Sequence, residues 1–540
     1  ISVNAATNGV CGNDLSWTLD DNGVLTISGT GDMYDYASRT NVPWDSISTD
    51  IKQVIIAEGV TSIGDYAFYT YHTISNVNIP STIQSIGSYA FGGTSIETVS
   101  IPEGVTSIER STFSSCKKLT DVNIPETVKN IGREAFRYCY ALSGIRVPSS
   151  VTKIDESAFA DCGLESIVIP ASVEIIGAYA FQDCGNLKNV ILSDGIMHIK
   201  VNAFAGSGIE FVSIPKSVSD IGGGAFSNCS SLKSISVSYD SSYYSSIDGV
   251  LFNKDKTSLI QYPCGKTGDS YSIPETTTTI ANSAFEGSTT LTNIIMPDSI
   301  VEMGLNTFSK CSNLTNVKLS KNLKTIGRMS FYRCMSLEKI EVPYGVSSIS
   351  YSAFCVCSSL KNISIPDTVK GIGERAFSDC ESLSRIELPN NLSSIAYGAF
   401  MGAGLESIVI PEGVVSIGQY AFQGCSLLKS VMLSGTVRSI NSDAFAQCYA
   451  LESITLTDNT LYISSNAFNN DSSIKNVYFN GNETEWNALI IGSGNDYFSK
   501  ATRHYNYSMY ETGIKRKGKC GENAFWQIDY DGNLIIDGTG

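Results

Sequence analysis

The cysteines are the residues with the most obvious chemistry, and their spacing argues against catalysis. The chain has 540 residues and 15 cysteines. Eleven cysteines stand three residues after a phenylalanine: Cys116, Cys139, Cys162, Cys184, Cys229, Cys311, Cys334, Cys357, Cys380, Cys425 and Cys448. Other copies of the segment carry Ser207, Ser288 or Ala403 there. A nucleophile or metal ligand would not recur eleven times or be exchanged for alanine. These cysteines are therefore predicted to be small buried core residues.

Disulfides between neighbouring cysteines of this series are conceivable by distance. Side chains stacked in parallel are poorly aimed for the dihedral angle that a disulfide requires, so we expect these eleven thiols to be reduced. The pattern makes no prediction for the redox state of Cys11, Cys264, Cys355 and Cys520.

Other chemistry is sparse. The only histidines are His72, His198 and His504, and no two are close in sequence. Phosphate-binding loops, H-E-x-x-H and G-x-S-x-G are absent. We therefore predict no catalytic residue, no cofactor and no metal site, and a protein that is not an enzyme. A hydrolytic pair among the 53 acidic residues stays open as an alternative, although no pair stands out. Carbohydrate stacking on the tryptophans also stays open as an alternative, although packing within the caps is the favoured explanation of all four: Trp17, Trp44, Trp486 and Trp526.

The net charge and the apolar content of the chain limit the kinds of partner that we expect. The formal net charge is −16, which disfavours a nucleic-acid partner and simple electrostatic attachment to anionic membranes. No apolar stretch is long enough to span a bilayer, and no signal-peptide pattern is present. We expect no nucleic acid and no membrane insertion within this chain.

A repeat organises most of the sequence. It is anchored by phenylalanines 22 or 23 residues apart, in two series: Phe68, Phe91, Phe113, Phe136, Phe159, Phe181, Phe204 and Phe226, then Phe285, Phe308, Phe331, Phe354, Phe377, Phe400, Phe422, Phe445 and Phe468. The unit reads L-x-x-I-x-I-P-x-x-V-x-x-I-G-x-x-A-F-x-x-C. Its I-x-I-P segment predicts a short strand with one buried face, ended by proline. Its F-x-x-C segment has the spacing of one helical turn. Each repeat can bury its apolar face only against its neighbours, which predicts a solenoid.

The repeat "IPETVKNIGREAFRYCYAL" (124–142) resembles the BspA-type leucine-rich repeats of bacterial surface proteins, over roughly residues 51–480. The predicted fold is a leucine-rich-repeat solenoid with repeats of 22–23 residues. We expect a parallel β-sheet on its concave face, short strands and helical turns on the other faces, and β-hairpin caps. The resemblance implies a secreted or cell-surface bacterial protein that mediates adhesion or protein binding, with surface proteins or glycans as partners.

The boundaries follow the repeat. "CGNDLSWTLDDNGVLTISGTG" (11–31) shares ten of 21 positions with "CGENAFWQIDYDGNLIIDGTG" (520–540), so a second cap-like module is predicted to start at the C-terminus and to stop abruptly. "LESIVIPASVEIIGAYAFQDC" (164–184) nearly recurs at 405–425, which indicates a duplication. The predicted regions are an N-terminal β cap (1–50), a first array (51–240), an irregular coil with an inserted hairpin (241–275), a second array (276–480), a C-terminal cap (481–510) and a truncated cap-like module (511–540).

The candidate binding surface is the outward face of the predicted strands, where residue types change from repeat to repeat. The patch we single out consists of Val168, Ile191, Phe211, Arg146 and Glu210. Exposed apolar side chains in a row favour an interaction site, although they can also be scattered without function. Two functions fit this pattern: a non-catalytic binding or adhesion scaffold, and a passive surface spacer that presents another domain.

Overall fold

The fold is a solenoid of parallel strands in the computed structural model of the chain. The structure describes residues 7–507 and the backbone of three further strands, Arg516–Lys519, Ala524–Ile528 and Leu534–Gly538. The chain divides into two compact units, Ile1–Leu314 (unit 1) and Thr315–Gly540 (unit 2). Each predicted repeat forms one coil, so the predicted solenoid of parallel strands is confirmed.

Unit 1 begins with an antiparallel sheet of Asn8–Val10, Leu15–Leu19 and Val24–Gly29, and the last of these strands pairs in parallel with Gln53–Ile56 of the first coil. The strand face, which carries the I-x-I-P segments, continues through Asn76–Asn78, Thr98–Ser100, Asp121–Asn123, Ser166–Ile169, Asn189–Leu192, Phe211–Ile214, Ser234–Val237, Ser270–Ser272 and Asn293–Ile295. Two 3₁₀ turns, Arg39–Asn41 and Asp45–Ile47, follow the antiparallel sheet.

A second face of short strands in unit 1 begins with Gly31–Asp32. The segments of the V-x-x-I-G type continue it: Val60–Ile63, Ser85–Ile86, Ser107–Ile108, Asn130–Ile131, Lys153–Ile154, Ile175–Ile176, His198–Ile199, Asp220–Ile221, Thr279–Ile280 and Glu302–Met303. Between residues 244 and 261 three longer strands run antiparallel, Tyr244–Ile247, Val250–Asn253 and Ser258–Gln261. The third of these pairs in parallel with Thr279–Ile280, so the repeat resumes after the interruption.

Unit 2 repeats this plan. Its strand face contains Asn316–Lys318, Lys339–Glu341, Asn362–Ser364, Ser407–Val409, Ser430–Met432, Ser453–Leu456, Asn476–Phe479 and Thr502–His504, and its second face contains Ser348–Ile349, Gly371–Ile372, Ser394–Ile395, Ser416–Ile417, Ser439–Ile440, Tyr462–Ile463 and Ile490–Ile491. Two short helices, Glu483–Ala488 and Asp496–Lys500, interrupt the repeat.

The strands near the C-terminus pair as the first three strands of unit 1 do. Trp17 is paired with Gly9, and Trp526 is paired with Gly518 at the same offset. The backbone register of the two antiparallel sheets is therefore the same. Cys520 and residues 529–533 lie outside the described residues.

The repeated phenylalanines form the centre of the core. From Phe68 to Phe226 neighbouring rings stack nearly parallel, with centroids 5.1 to 5.7 Å apart. The stack starts on Trp44, which lies 5.5 Å from Phe68. Unit 2 contains a stack of the same kind, which ends on Phe498, with its ring centroid 4.7 Å from that of Phe468. Offset stacking of this kind adds to the energy of apolar burial.

The A-F-x-x-C segments make single turns, such as that closed by Cys116 N–H and the Phe113 carbonyl at 3.3 Å. They do not continue as helices, because the residue two positions after each phenylalanine has a positive φ. Backbone N–H groups then bond to the next coil instead, as Phe113 N–H does to the Ala135 carbonyl at 2.9 Å.

Val356 occupies one of these left-handed positions, with φ of 61°. A β-branched residue is strained there, whereas glycine is not. We expect Val356→Gly to raise the free energy of unfolding by about 1 kcal/mol. The exposed Val415 is not among the positive-φ residues, so Val415→Gly should instead lower it by about 0.5–1 kcal/mol. Urea denaturation of both variants checks the opposite signs, and destabilisation by both would contradict the strain.

The cysteines that follow the phenylalanines have a second role besides filling space. The Cys139 thiol donates to the Phe113 carbonyl of the preceding coil at 3.2 Å. Nine more repeat this bond at 2.9 to 3.2 Å: Cys116, Cys162, Cys184, Cys229, Cys311, Cys357, Cys380, Cys425 and Cys448. All 14 cysteines within the described residues are buried, and none of them forms a disulfide.

These thiols should be inert in the native protein. Burial raises the pKa of Cys116 and of Cys229 to about 11, which suppresses the reactive thiolate. At about pH 8 we expect the eleven repeat cysteines to be alkylated only as fast as the chain unfolds. Cys355, which is not one of the eleven and lies at the edge of the core, should be alkylated before them. Mass spectrometry of the protein alkylated under native and under denaturing conditions measures which cysteines react in each case. Systematic disulfide pairing among the eleven would contradict it.

Candidate functional site

The strand face presents two outward positions on each longer strand. In Ser166–Ile169, Ile167 and Ile169 point into the core while Ser166 and Val168 are exposed. Asn189–Leu192 and Phe211–Ile214 show the same alternation. Because parallel strands pair residue against residue, outward positions form columns that run across the coils.

Val168 and Ile191 are direct neighbours in one column, since the register pairs these two residues. Phe211 is paired with Asn189, so it lies in the adjacent column, diagonal to Ile191. The three side chains are 54%, 58% and 58% exposed. A diagonal neighbour on a sheet is within reach of an aromatic side chain. Together they form an apolar patch on three consecutive strands.

A cation borders this patch. The Lys233 ammonium lies 5.5 Å from the centre of the Phe211 ring and 2.8 Å from Glu210 Oε2. The hydrogen bond from Lys233 holds the pKa of the Glu210 carboxyl below its ordinary value. Glu210 thus positions Lys233 over Phe211, which gives the patch one aromatic face with a cation beside it.

Arg146 is bound by a residue of the preceding coil. Its guanidinium forms an ion pair with Glu126, whose carboxylate also accepts hydrogen bonds from the Ser149 N–H and hydroxyl, both at 3.0 Å. Residues 142–148 form no strand, so no ladder joins Arg146 to Val168. Of the five predicted residues, the structure brings together Val168, Ile191, Phe211 and Glu210, and it ties Arg146 to the coil before.

The histidines occupy three separate places. His72 Nδ1 is 2.6 Å from the Gly93 carbonyl, His198 Nδ1 is 3.4 Å from Asp220, and His504 Nε2 is 2.9 Å from Asn476 Oδ1. Among the residues that the structure describes, no group of three or more His, Cys, Asp and Glu side chains could hold a metal ion. The same residues contain no helix that is long and apolar enough to cross a membrane.

A shallow groove of about 440 Å³ opens on the turns of three early coils. Tyr69 and Tyr89 line it together with His72, Lys117 and Lys118. The two tyrosine rings meet edge to face, with centroids 5.4 Å apart. The repeat gave no sign of this groove, because its residues lie at positions where the repeat tolerates any side chain.

Solved structures of similar proteins come from several bacteria. A leucine-rich cell surface protein from Faecalibacterium prausnitzii is 22% identical, with 91% of this chain and 100% of that chain covered and a TM-score of 0.42. The pneumococcal vaccine antigen PcpA is 19% identical, with 90% and 98% covered and a TM-score of 0.38. A leucine-rich repeat protein from Bacteroides ovatus is 25% identical, with 86% and 98% covered and a TM-score of 0.38. None of the curated protein sequences compared with the chain matches it.

The family model of the BspA type leucine rich repeat region, built of six copies, matches four overlapping stretches: residues 47–165, 152–268, 264–380 and 347–475. Together they span most of the chain and both units. The same stretches contain most of the strand faces, the repeated phenylalanines from Phe68 to Phe468 and all ten cysteine bonds described above. The chain therefore belongs to the BspA-type leucine-rich repeat family.

Proposed function

We propose that the protein is a non-catalytic binding scaffold that acts through its strand face. Membership of the family points to a binding or scaffold role. The observation that carries the proposal is the apolar patch of Val168, Ile191 and Phe211, each more than half exposed on strands whose other side is fully packed. Exposed apolar side chains grouped on one surface are typical of interaction sites.

The rigidity of the face favours binding. The inward residues Ile167, Val190 and Val212 are buried, and the backbone between coils is hydrogen-bonded. Association therefore orders few side chains and no loop, which reduces its entropic cost. The partners we propose are proteins or glycans of host or bacterial surfaces, met while this protein is secreted or held on a bacterial surface.

The double variant Ile191→Ser/Phe211→Ser tests the patch. We expect binding to host matrix proteins and to cells to weaken by about tenfold or more, because truncation of buried aromatic and aliphatic anchors costs the most at interfaces. Surface plasmon resonance measures the affinity, and circular dichroism checks the fold. Tyr239→Ser is the matched control, since Tyr239 is 96% exposed but lies outside the patch.

The outcomes separate the two functions that fit the sequence. Binding by the wild type that the double variant retains in full would place the contact elsewhere. Absence of wild-type binding across a broad panel of proteins, glycans and cells would contradict a binding scaffold and favour a passive spacer.

A further inference from the structure

Four alternating charges lie along one rim of unit 2. Glu406, Lys429, Glu452 and Lys475 each occupy the position directly before a strand of the strand face. The N–H of each of the last three bonds to the carbonyl of the charged residue before it, at 2.8 to 2.9 Å. The four side chains are therefore spaced by about one strand separation, ~4.8 Å. We call this row the charged rim.

The charges of this rim are paired only weakly within the chain. Lys429 lies 3.3 Å from Glu406, and Lys475 lies 3.3 Å from Glu452. All four side chains are 54% to 68% exposed. Ion pairs this exposed contribute little to folding stability, so packing of unit 2 does not account for the alternation.

Two large side chains stand beside the middle of the charged rim. Leu427 lies in the turn that leads into Lys429 and is 53% exposed. Tyr449 lies in the turn that leads into Glu452 and is 54% exposed. Apolar contact area beside a pattern of charges is the combination from which protein interfaces gain both affinity and register.

The order Glu-Lys-Glu-Lys is complementary to itself when it is read in reverse. A two-fold axis between the strands of Lys429 and Glu452 places every charge of one rim opposite the other sign on a second rim. Such an isologous contact needs only one surface and closes as a dimer.

We propose that the occupant of this rim is a second copy of the chain, in a two-fold dimer. Glu406 then faces Lys475 of the partner subunit, and Lys429 faces Glu452 of the partner subunit. Leu427 packs against Tyr449 of the partner subunit, and the same contact recurs across the axis. The apolar contacts supply affinity, and the four ion pairs set the register.

Unit 1 provides an internal comparison. The duplication leaves the same alternation there, at Glu165, Lys188, Glu210 and Lys233. The turns before Lys188 and Glu210 carry Asn186 and Gly208, which offer no apolar contact. The turns of this rim therefore lack the apolar side chains that Leu427 and Tyr449 supply in unit 2, so the dimer forms through unit 2.

Charge exchange tests the dimer in the full chain. Sedimentation equilibrium at low ionic strength is expected to show a reversible dimer for the wild type. Two variants give the rim a single sign of charge: Lys429→Glu/Lys475→Glu and Glu406→Lys/Glu452→Lys. In a dimer of either variant, like charges would face each other across the interface, so each should self-associate at least about tenfold more weakly than the wild type. An equimolar mixture of the two should restore the dimer, because opposite rims then meet.

Two more variants complete the set. Leu427→Ser/Tyr449→Ser should weaken association, and Lys188→Glu, which reverses a charge of the corresponding row in unit 1 without altering a residue of the apolar patch, should leave it unchanged. All the sites are exposed, so wild-type melting temperatures are expected. A monomeric wild type, a charge variant that dimerises as well as the wild type, or a mixture that stays monomeric overturns the proposal. The strand-face proposal is independent, since Ile191→Ser/Phe211→Ser does not touch this rim.

Discussion

Phe136→Ala is expected to lower the free energy of unfolding by about 3–5 kcal/mol, the usual cost of removing a large buried aromatic side chain. Phe136 is fully buried, and its ring stacks 5.5 Å from Phe113 and 5.3 Å from Phe159. The neighbouring coils cannot close the resulting cavity, because their separation is held by backbone hydrogen bonds, such as that from Phe136 N–H to the Ala158 carbonyl. Urea denaturation monitored by circular dichroism measures the loss.

Two control variants distinguish the effect of removing a buried, stacked ring from the effect of removing an aromatic residue in general. Phe136→Leu keeps most of the volume and should cost about 1 kcal/mol. Tyr140→Ala removes a half-exposed ring from the same coil and should change the free energy of unfolding by less than about 0.5 kcal/mol. Because coupling in a solenoid is to nearest neighbours, hydrogen exchange should increase most in the coils beside Phe136. A uniform increase throughout unit 1 would contradict this local coupling.

Asp471→Cys is expected to remove a strong pH dependence of stability. Asp471 replaces cysteine at the third position after Phe468, and it is fully buried. Its Oδ1 accepts a hydrogen bond from the Cys448 N–H at 2.7 Å, whereas its Oδ2 has no partner. Burial raises the pKa of this carboxyl to about 8, with the Cys448 N–H acting in the opposite direction.

The sign of the effect follows from proton uptake. The carboxyl ionises near pH 3.9 in the unfolded chain, so between about pH 4 and pH 8 the folded protein holds a proton that the unfolded chain has lost. The stability that this proton confers is fully present below about pH 4 and is lost as the pH rises towards 8. At 1.36 kcal/mol for each pH unit, the loss over about four pH units amounts to roughly 5–6 kcal/mol.

Denaturation at a series of pH values measures this slope. Asp471→Cys introduces the residue of the other coils and should flatten the curve, so that the variant is more stable than the wild type at about pH 8. Asp471→Asn should flatten it too, at some cost for an unpaired buried amide. Asp458→Asn changes an exposed carboxylate and should leave the slope unchanged. If both Asp471 variants keep the wild-type dependence of stability on pH, a group other than Asp471 is responsible for it.

The strand register shows which neighbours in the apolar patch were not predicted from residue spacing in the sequence. Val168, Ile191 and Phe211 were predicted as a succession, but Phe211 follows Ile191 by only 20 residues, two fewer than the repeat. A shift of two keeps a side chain on the same face of a strand, so the prediction of outward exposure is unaffected while the neighbour changes. Strict counting from Asn189 would have identified the pair that the structure shows.

The charged rim and the thiol hydrogen bonds could not be predicted from the sequence for a different reason. The intervals from Glu406 to Lys475 can be counted in the sequence, but these charges form a row only because adjacent coils are in contact. The bond from Cys139 to the Phe113 carbonyl depends on where the backbone turns, which left-handed residues determine. The sequence pattern indicated only that a small residue fits there.

By itself, the sequence of this protein determined the repeat, the inward positions and the solenoid. The reason is that every coil buries the same apolar side against its neighbours, so the requirement recurs every 22 or 23 residues and is visible as a period. Only the tertiary structure decided how Trp44 and Phe498 end the phenylalanine stacks, where Arg146 points, and that Asp471 is buried without a charge partner. These features occur once and join residues that are distant in sequence, so no period records them.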